Sequence, residues 1–289
     1  MGQLLAQLTV NGLLVGFIYA LMGAGLTLEF GVLRVVNFGY GALYAVGGYV
    51  CYTFAESLGL NFWLALVISF AAIFGLGMLV EKFGFARFRQ SELATLVFGV
   101  GLMIVGRAAV MLIWGAQGHG ITPPISGNVA VWNLTLSYQR VVAAVVSVLA
   151  IGLLTLFLRN TLLGKAMRCV SDSKERAELL GINVRRVYML AMGLGTAMAT
   201  VAASIVATIL VVGPEVDMRA LFVGFIIIIL AGMGSIPGAL LGGLIIGLVE
   251  SYAMGYLDVT WGTIIPFAIL VLVLIVRPQG LFGKRERIG

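Results

Sequence analysis

Charged residues are scarce in this sequence. They make up 10% of its 289 residues, whereas apolar residues make up 61%, and the mean hydropathy is +1.10. A soluble globule needs far more polar surface, so this composition favours a protein whose solvent is the lipid bilayer. The alternating pattern of outer-membrane barrel strands is also missing. Long unbroken apolar runs such as 222–230 therefore predict an all-α fold, a polytopic bundle of transmembrane helices.

Enzyme and cofactor motifs are missing too. The sequence has no Gly-x-x-x-x-Gly-Lys-[Ser/Thr] phosphate loop and no His-Glu-x-x-His motif, and it contains one histidine, His119. Its two cysteines, Cys51 and Cys169, lie in an apolar run and a basic loop, so we expect no disulfide. We therefore predict no catalytic residue, no metal ligand and no cofactor bound by this chain. If ATP and Mg²⁺ drive this protein, partner subunits bind them.

Apolar runs bounded by charges or turn residues predict one transmembrane domain, residues 1–289, with about eight or nine spans. Basic residues cluster in loop 81–92, loop 159–186 and the C-terminal tail, so the positive-inside rule makes these segments cytoplasmic. The net charge of +6 thus reports topology, not nucleic-acid binding. Loop 115–137 and the N-terminus are then external, but a re-entrant 38–55 would move the N-terminus inside. The predicted spans are 8–28, 38–55, 61–80, 94–114, 138–158, 187–212, 219–233, 238–254 and 263–276.

Glycine and proline interrupt two apolar runs, at 37–41 and at 232–238. Interrupted helices at corresponding positions of two halves are typical of transporters built from structural repeats, whose pathway lies near the interruptions. Glycines spaced by four, at 234, 238 and 242, also permit close helix packing, and the two interpretations are compatible. The candidate pathway and hinge residues are Asn37, Phe38, Gly39, Tyr40, Gly41, Gly234, Ser235, Pro237 and Gly238.

Few charges fall within the predicted spans, which disfavours an ion-coupled transporter or channel that acts alone. Arg107 and Glu250 are close enough to helix ends to reach the interface, so we interpret both as interface anchors. Glu29 and Arg34 flank the first inside turn and are interpreted as boundary charges.

The loop 159–186 contains a predicted helix of about two turns. Asp172 and Glu175 have capping-box spacing, and Gly181 is placed to end the helix. So short a helix must dock on something, either the helix ends of this chain, the membrane surface or a partner protein. The residues of this candidate docking helix are Asp172, Glu175, Arg176, Ala177, Leu179, Leu180, Gly181, Ile182 and Asn183.

Three groups of residues resemble the inner-membrane permeases of branched-chain amino acid ABC importers, of the LivH type. In order, they are Gly16-x-x-Tyr19-Ala20-Leu21 with Gly25–Val32 and Val35–Phe38, then Leu163–Arg168 with Ala177–Val184, then Gly234–Ala239 with Arg277–Gly283. The resemblance covers nearly the whole chain, and it implies the fold class that also includes ribose and vitamin permeases.

The resemblance implies that the helix at 172–183 couples to an ATPase. It also implies a bacterial inner-membrane location, a second permease that is identical or paralogous, two cytoplasmic ATPases and a periplasmic substrate-binding protein. One departure concerns the substrate: the family commonly has Ala-His-Gly where this chain has Gly39-Tyr40-Gly41. Branched-chain or related amino acids are therefore the expected substrates, and urea, short amides and aromatic acids stay open.

Overall fold

A computed structural model describes residues 2–131, 134–232 and 234–276. Helices dominate these ranges and confirm the all-α transmembrane bundle; the two strands form one antiparallel hairpin. Single π-helical turns, Thr53–Ser57 and Glu81–Phe85, extend α2 and α3. The elements are α1 (Gly2–Leu33), α2 (Tyr40–Tyr52), α3 (Phe62–Val80), α4 (Ala86–Phe88), α5 (Glu92–Trp114), β1 (Asn128–Val131), β2 (Leu134–Ser137), α6 (Tyr138–Asn160), α7 (Leu162–Asp172), α8 (Lys174–Leu179), α9 (Val184–Ile209), α10 (Val216–Ala231), α11 (Ile236–Tyr256) and α12 (Val259–Val276).

Within the described residues, seven helices are long and apolar enough to cross a membrane, which makes the chain a multi-pass membrane protein. They are α1, the stretch Phe62–Phe88, α5, α6, α9, α11 and α12. Helices also occupy the other two predicted ranges, but α2 itself has 13 residues before its π-helical turn and α10 has 16, and neither is among the seven. The span count therefore stays a prediction. The tail, with Arg277–Gly283 and the basic residues at 284, 285 and 287, lies outside the described residues.

The centre of the bundle is the antiparallel pair α1 and α11. A Cβ added to Gly12 would lie 2.9 Å from Leu248 Cα, and one added to Gly243 would lie 2.4 Å from the Ala20 nitrogen. Glycine on both helices thus lets the two backbones touch along several turns. Helix α9 packs against α1, α2 and α3, and most of its residues are buried.

Two hydrogen-bonded contacts define the ends of the bundle. At one end, Gln7 donates to the Thr135 carbonyl oxygen at 2.9 Å, which places the N-terminus of α1 beside the β-hairpin. At the other end, the Ser171 hydroxyl donates to the Gly31 carbonyl oxygen at 2.6 Å, which places the end of α1 against α7. We name these the hairpin end and the basic end, since the basic loop 159–186 lies at the second. The N-terminus and loop 115–137 share one end, the arrangement that the charge pattern predicts when 38–55 spans the membrane.

Candidate functional site

The chain reverses direction just after α1, in a segment that we call the first break, residues 34–39. Arg34 adopts a left-handed conformation with φ of 53°, and residues 34–37 have no regular structure. Asn37 is buried, and its Nδ2 donates to Glu29 Oε2 at 2.8 Å. The first break therefore runs back into the bundle beside the last turns of α1 before α2 begins at Tyr40.

Close backbone approaches hold the start of α2. A Cβ on Gly39 would lie 2.4 Å from Leu102 Cδ2 of α5, and a Cβ on Gly41 would lie 2.2 Å from the Asp217 carbonyl oxygen of α10. Only glycine fits at Gly41, because the backbone of α10 cannot yield as a flexible side chain can. The glycines of the predicted interruption therefore let the start of α2 pack closely between α5 and α10.

Tyr40 and Phe38 have different surroundings. Tyr40 is fully buried, and its hydroxyl donates to the Met22 carbonyl oxygen at 2.6 Å, so the phenol fills the interface between α1 and α2 and faces no open surface in this structure. Phe38 is half-buried and packs against Phe225 of α10, with ring centroids 5.5 Å apart.

The second break, residues 232–235, separates α10 from α11. Gly232 and Gly234 have φ values of 81° and 88°, and Ser235 caps α11 by accepting a hydrogen bond from the Gly238 nitrogen at 3.1 Å. Pro237 lies in the first turn of α11, where its missing N–H costs nothing. Met233 lies outside the described residues.

The two breaks meet at the basic end of α1. A Cβ on Gly31 would lie 3.0 Å from Gly234 Cα, while Glu29, two residues earlier, holds Asn37. The structure thus brings one residue from each group of predicted pathway residues, Asn37 and Gly234, to the last turns of one helix. The packing interpretation also applies, since a Cβ on Gly238 would lie 2.6 Å from the Ala231 carbonyl oxygen.

Two ion pairs at the first turn of α10 correct the interpretation of the intramembrane charges. Arg107 Nε and Nη2 donate to Asp217 at 2.9 and 2.6 Å, and Arg219 Nη2 donates to Glu250 at 2.7 Å. The prediction that Glu250 is an interface anchor is therefore wrong, because its side chain is 9% exposed and paired with Arg219, whereas for Arg107, 32% exposed, that role stays a prediction. The pairs join residues 110 and 31 positions apart, a separation that no local sequence pattern reports.

Glu29 and Arg34 also differ from each other. Arg34 is exposed and donates to the Ser171 carbonyl oxygen at 3.1 Å, in agreement with a boundary charge. Glu29 is 1% exposed, which contradicts its interpretation as a boundary charge. A Cβ on the facing residue of α9, Gly195, would lie 2.4 Å from Glu29 Cγ, so the glycine makes room for the carboxyl group.

The docking helix of loop 159–186 is α8, and it starts one residue later than the capping-box spacing indicates. The N-cap is Ser173, whose Oγ accepts from the Arg176 nitrogen at 3.2 Å and donates to Glu175 Oε2 at 2.9 Å. Asp172 is not the cap, because it is the last residue of α7 and its backbone is helical. Hydrogen bonds from the Glu175 backbone N–H and from the Ser173 hydroxyl hold the pKa of the exposed Glu175 carboxyl below its usual range.

The end of α8 agrees with the prediction. Gly181 has φ of 75°, its nitrogen donates to the Glu178 carbonyl oxygen, and the Ile182 nitrogen donates to the Ala177 carbonyl oxygen, both at 3.0 Å. This is a Schellman motif. Asn183 then caps α9 by accepting from the Arg186 nitrogen at 3.1 Å.

The C-terminal end of α8 exposes two large apolar residues, Leu179 and the C-cap residue Leu180, next to the charged residues of the helix. Ala177 is fully buried, whereas the side chains of Leu179 and Leu180 are 87% and 72% exposed. Arg176 is exposed beside them. Two large apolar side chains at the tip of a basic loop mark a surface that a partner could cover.

Sequence reasoning missed α7, the helix that carries α8. Its buried residues Gly164, Met167 and Val170 recur every three positions, opposite the charged Lys165 and Arg168, and this spacing is the signal that could have found it. Thr161 caps α7 by accepting from the Gly164 nitrogen at 3.0 Å. Through Ser171, α7 connects α8 to Gly31 and hence to both breaks.

The described ranges contain no group of three His, Cys, Asp or Glu side chains arranged as metal ligands. Comparison with known proteins identifies the family of this chain. A family model described as "Branched-chain amino acid transport system / permease component" matches residues 8–274. The chain belongs to this family.

The LivH relatives align over nearly their full length. The chain is 31% identical to the "High-affinity branched-chain amino acid transport system permease protein LivH" of Escherichia coli (strain K12), over 97% of this chain and 96% of the relative. It is 26% identical to the corresponding protein LivM of the same organism, over 94% of this chain and 69% of the relative. The solved structure "PsaBC from Streptococcus pneumoniae in complex with Fab" has the same fold, with a TM-score of 0.54, 13% identity and coverage of 93% and 92%.

Proposed function

We propose that this chain is the permease subunit of an ATP-binding cassette importer that carries branched-chain or related amino acids across a bacterial inner membrane. Its family and its similarity to LivH support the substrate class. The exposed Leu179 and Leu180 on α8 carry the coupling role, because they form the apolar tip of the basic loop.

Three kinds of partner complete the proposed importer. Two cytoplasmic ATPases bind ATP and Mg²⁺, since this sequence has no phosphate loop of its own. A periplasmic protein delivers the substrate to the hairpin end. The similarity of this chain to both LivH and LivM of one organism supports a paralogous permease as the second membrane subunit, and an identical subunit is the alternative.

In the proposed mechanism, α8 moves with the ATPases and shifts the two breaks. Ala177 is buried where α8 rests on the bundle, and Ser171 on α7 is hydrogen-bonded to Gly31 beside Gly234. Displacement of α8 is therefore transmitted to the last turns of α1, where both breaks lie. The chain itself catalyses no reaction in this mechanism.

The test uses the complete importer in proteoliposomes, with leucine uptake and ATP hydrolysis measured together. Truncation of both exposed side chains, Leu179→Ala with Leu180→Ala, should abolish leucine uptake. ATP hydrolysis should then no longer depend on transport, while the subunit stays folded. The matched control is Leu58→Ala, because Leu58 is 62% exposed at the hairpin end. Full coupling in the double variant would refute the role of α8.

The position of Tyr40 gives no support to urea, short amides or aromatic acids as substrates. Its hydroxyl is bonded to the Met22 carbonyl oxygen inside the bundle, so the change from the family's imidazole alters helix packing there. Urea, short amides and aromatic acids remain competitors to be tried in the same uptake assay. A secondary transporter would instead take up substrate as the purified single chain, driven by an ion gradient.

A further inference from the structure

Helix α10 presents an exposed apolar strip that begins in its first turn, between the two ion pairs. Successive residues of an α-helix point about 100° apart, so Met218 lies between Asp217 on one side and Arg219 on the other. Phe222 and Phe225 follow four and seven positions later on the face of Met218. Phe222 is 48% exposed, and Met218 and Phe225 are partly exposed. An apolar surface flanked by two guanidinium groups thus runs along α10.

The acids and bases of these pairs differ in exposure. The side chains of Asp217 and Glu250 are 0% and 9% exposed, whereas those of Arg107 and Arg219 are 32% and 53% exposed. Each pair therefore turns its positive partner outward, Arg107 on the candidate span α5 and Arg219 in the first turn of α10. Hydrocarbon cannot satisfy the free N–H groups of a guanidinium, so this face requires water or a polar ligand.

The two arginines have unequal capacity for a ligand. Arg107 binds Asp217 through both Nε and Nη2, a bidentate arrangement that occupies one whole edge of its guanidinium. Arg219 uses Nη2 alone, for Glu250 at 2.7 Å and the Tyr19 hydroxyl at 3.4 Å. Its Nε and Nη1 make no hydrogen bond with any described residue, and the side chain is the more exposed of the two.

We propose that Arg219, held in place by Glu250 and Tyr19, binds the carboxylate group of the transported solute. The strip of Met218, Phe222 and Phe225 beside it accommodates the apolar side chain of that solute. This inference rests on the proposed function and specifies its substrate class, small carboxylates with an apolar side chain. Planar guanidinium donors match a carboxylate well, and the N-terminal turn of α10 adds a favourable dipole. An anionic lipid headgroup offers similar chemistry, and the experiment distinguishes the two.

The experiment uses the complete importer in phosphatidylcholine proteoliposomes. Phenylglyoxal, a reagent that modifies exposed guanidinium groups, is added to them. Modification of each arginine is followed by mass spectrometry with and without saturating leucine and the binding protein during turnover. Leucine should slow modification of Arg219 at least about tenfold, the factor that corresponds to one charge-assisted hydrogen bond. Arg185 and Arg186, exposed at the basic end, should react at unchanged rates. Unchanged modification of Arg219 in a complex that takes up leucine would overturn the proposal.

A second arm, without leucine, reconstitutes the importer in phosphatidylcholine proteoliposomes that also contain phosphatidylglycerol. Protection of Arg219 by this lipid and not by leucine would assign the guanidinium to the membrane and overturn the proposal. Leucine uptake by the wild-type complex is measured in parallel, because its absence would refute the proposed function itself.

Variants supply an independent readout. The double variant Arg219→Gln with Glu250→Gln removes both charges, so that no buried carboxylate is left unpaired. We expect an assembled complex with basal ATP hydrolysis and a loss of leucine uptake of about tenfold or more. The matched control, Arg107→Gln with Asp217→Asn, neutralises the other pair. Its leucine uptake should stay within about twofold of the wild-type rate, a change well below the loss of one charge-assisted hydrogen bond. Equal uptake by the two double variants would contradict the assignment of Arg219.

Discussion

Glu29 and Asn37 join the two sides of a chain reversal inside the bundle. Asn37 Nδ2 donates to Glu29 Oε2 at 2.8 Å, and both side chains are buried. Glu29 Oε1 and Asn37 Oδ1 have no hydrogen-bond partner among the described residues, and no basic side chain there forms an ion pair with Glu29. Because the hydrogen bond spans the first break, it fixes the break to α1.

Removal of the Asn37 donor should destabilise the protein. Asn37→Ala leaves a buried carboxyl group without its hydrogen bond, which costs about 1–3 kcal/mol. Thermal unfolding of the purified chain in nanodiscs should therefore show a lower Tm. The double variant Glu29→Leu with Asn37→Leu removes both polar groups and should recover part of the loss. A single variant as stable as the wild type would mean that the hydrogen bond does not hold the break.

The glycine at position 41 should be irreplaceable. In Gly41→Ala the new Cβ would lie 2.2 Å from the Asp217 carbonyl oxygen, so α2 must separate from α10. Overpacking of this kind typically costs about 1–3 kcal/mol, and more where only backbone can move. The Tm and the yield of folded protein should both fall.

The matched control for Gly41 is Gly101→Ala on α5. No heavy atom lies within 4 Å of a Cβ built there, and alanine is the better helix former by about 1 kcal/mol. Its Tm should equal or exceed that of the wild type. Similar losses in the two variants would show that glycine at 41 is not required by the contact with α10.

Local sequence patterns predicted the helices and the breaks, but not the contacts between distant residues. Apolar runs indicate where a helix crosses, and Gly232 and Gly234 mark a break because their positive φ values suit glycine. The partner of Arg107 is 110 residues away, so its pairing depends on how α5 packs beside α10. The burial of Glu29 likewise depends on Gly195 of α9, a residue that local periodicity does not connect to α1.

The capping of α8 illustrates a finer limit. Asp172 and Ser173 are both good N-cap residues, and only the continuation of α7 through Asp172 decides between them. α7 itself was missed although its buried residues recur every three positions, because the first of them, Gly164, adds no apolar side chain to that face. In contrast, the Gly181 end was predictable, since a Schellman motif needs little beyond glycine at its left-handed position.

That end of α8 offers a test of the coupling surface. Gly181 has φ of 75°, so Gly181→Ala should cost about 1 kcal/mol and distort the turn that presents Leu179 and Leu180. Gly59 is a matched control, because it has φ of 67° and open space around its Cβ position but lies after α2 at the hairpin end. Both alanine variants should lower the Tm by similar amounts, since the backbone strain is the same. If α8 docks on the ATPases, only Gly181→Ala will also weaken their co-purification with the permease and reduce leucine uptake. Equal assembly of the two variants would separate the stability of α8 from coupling and would place the ATPase contact elsewhere on the basic end.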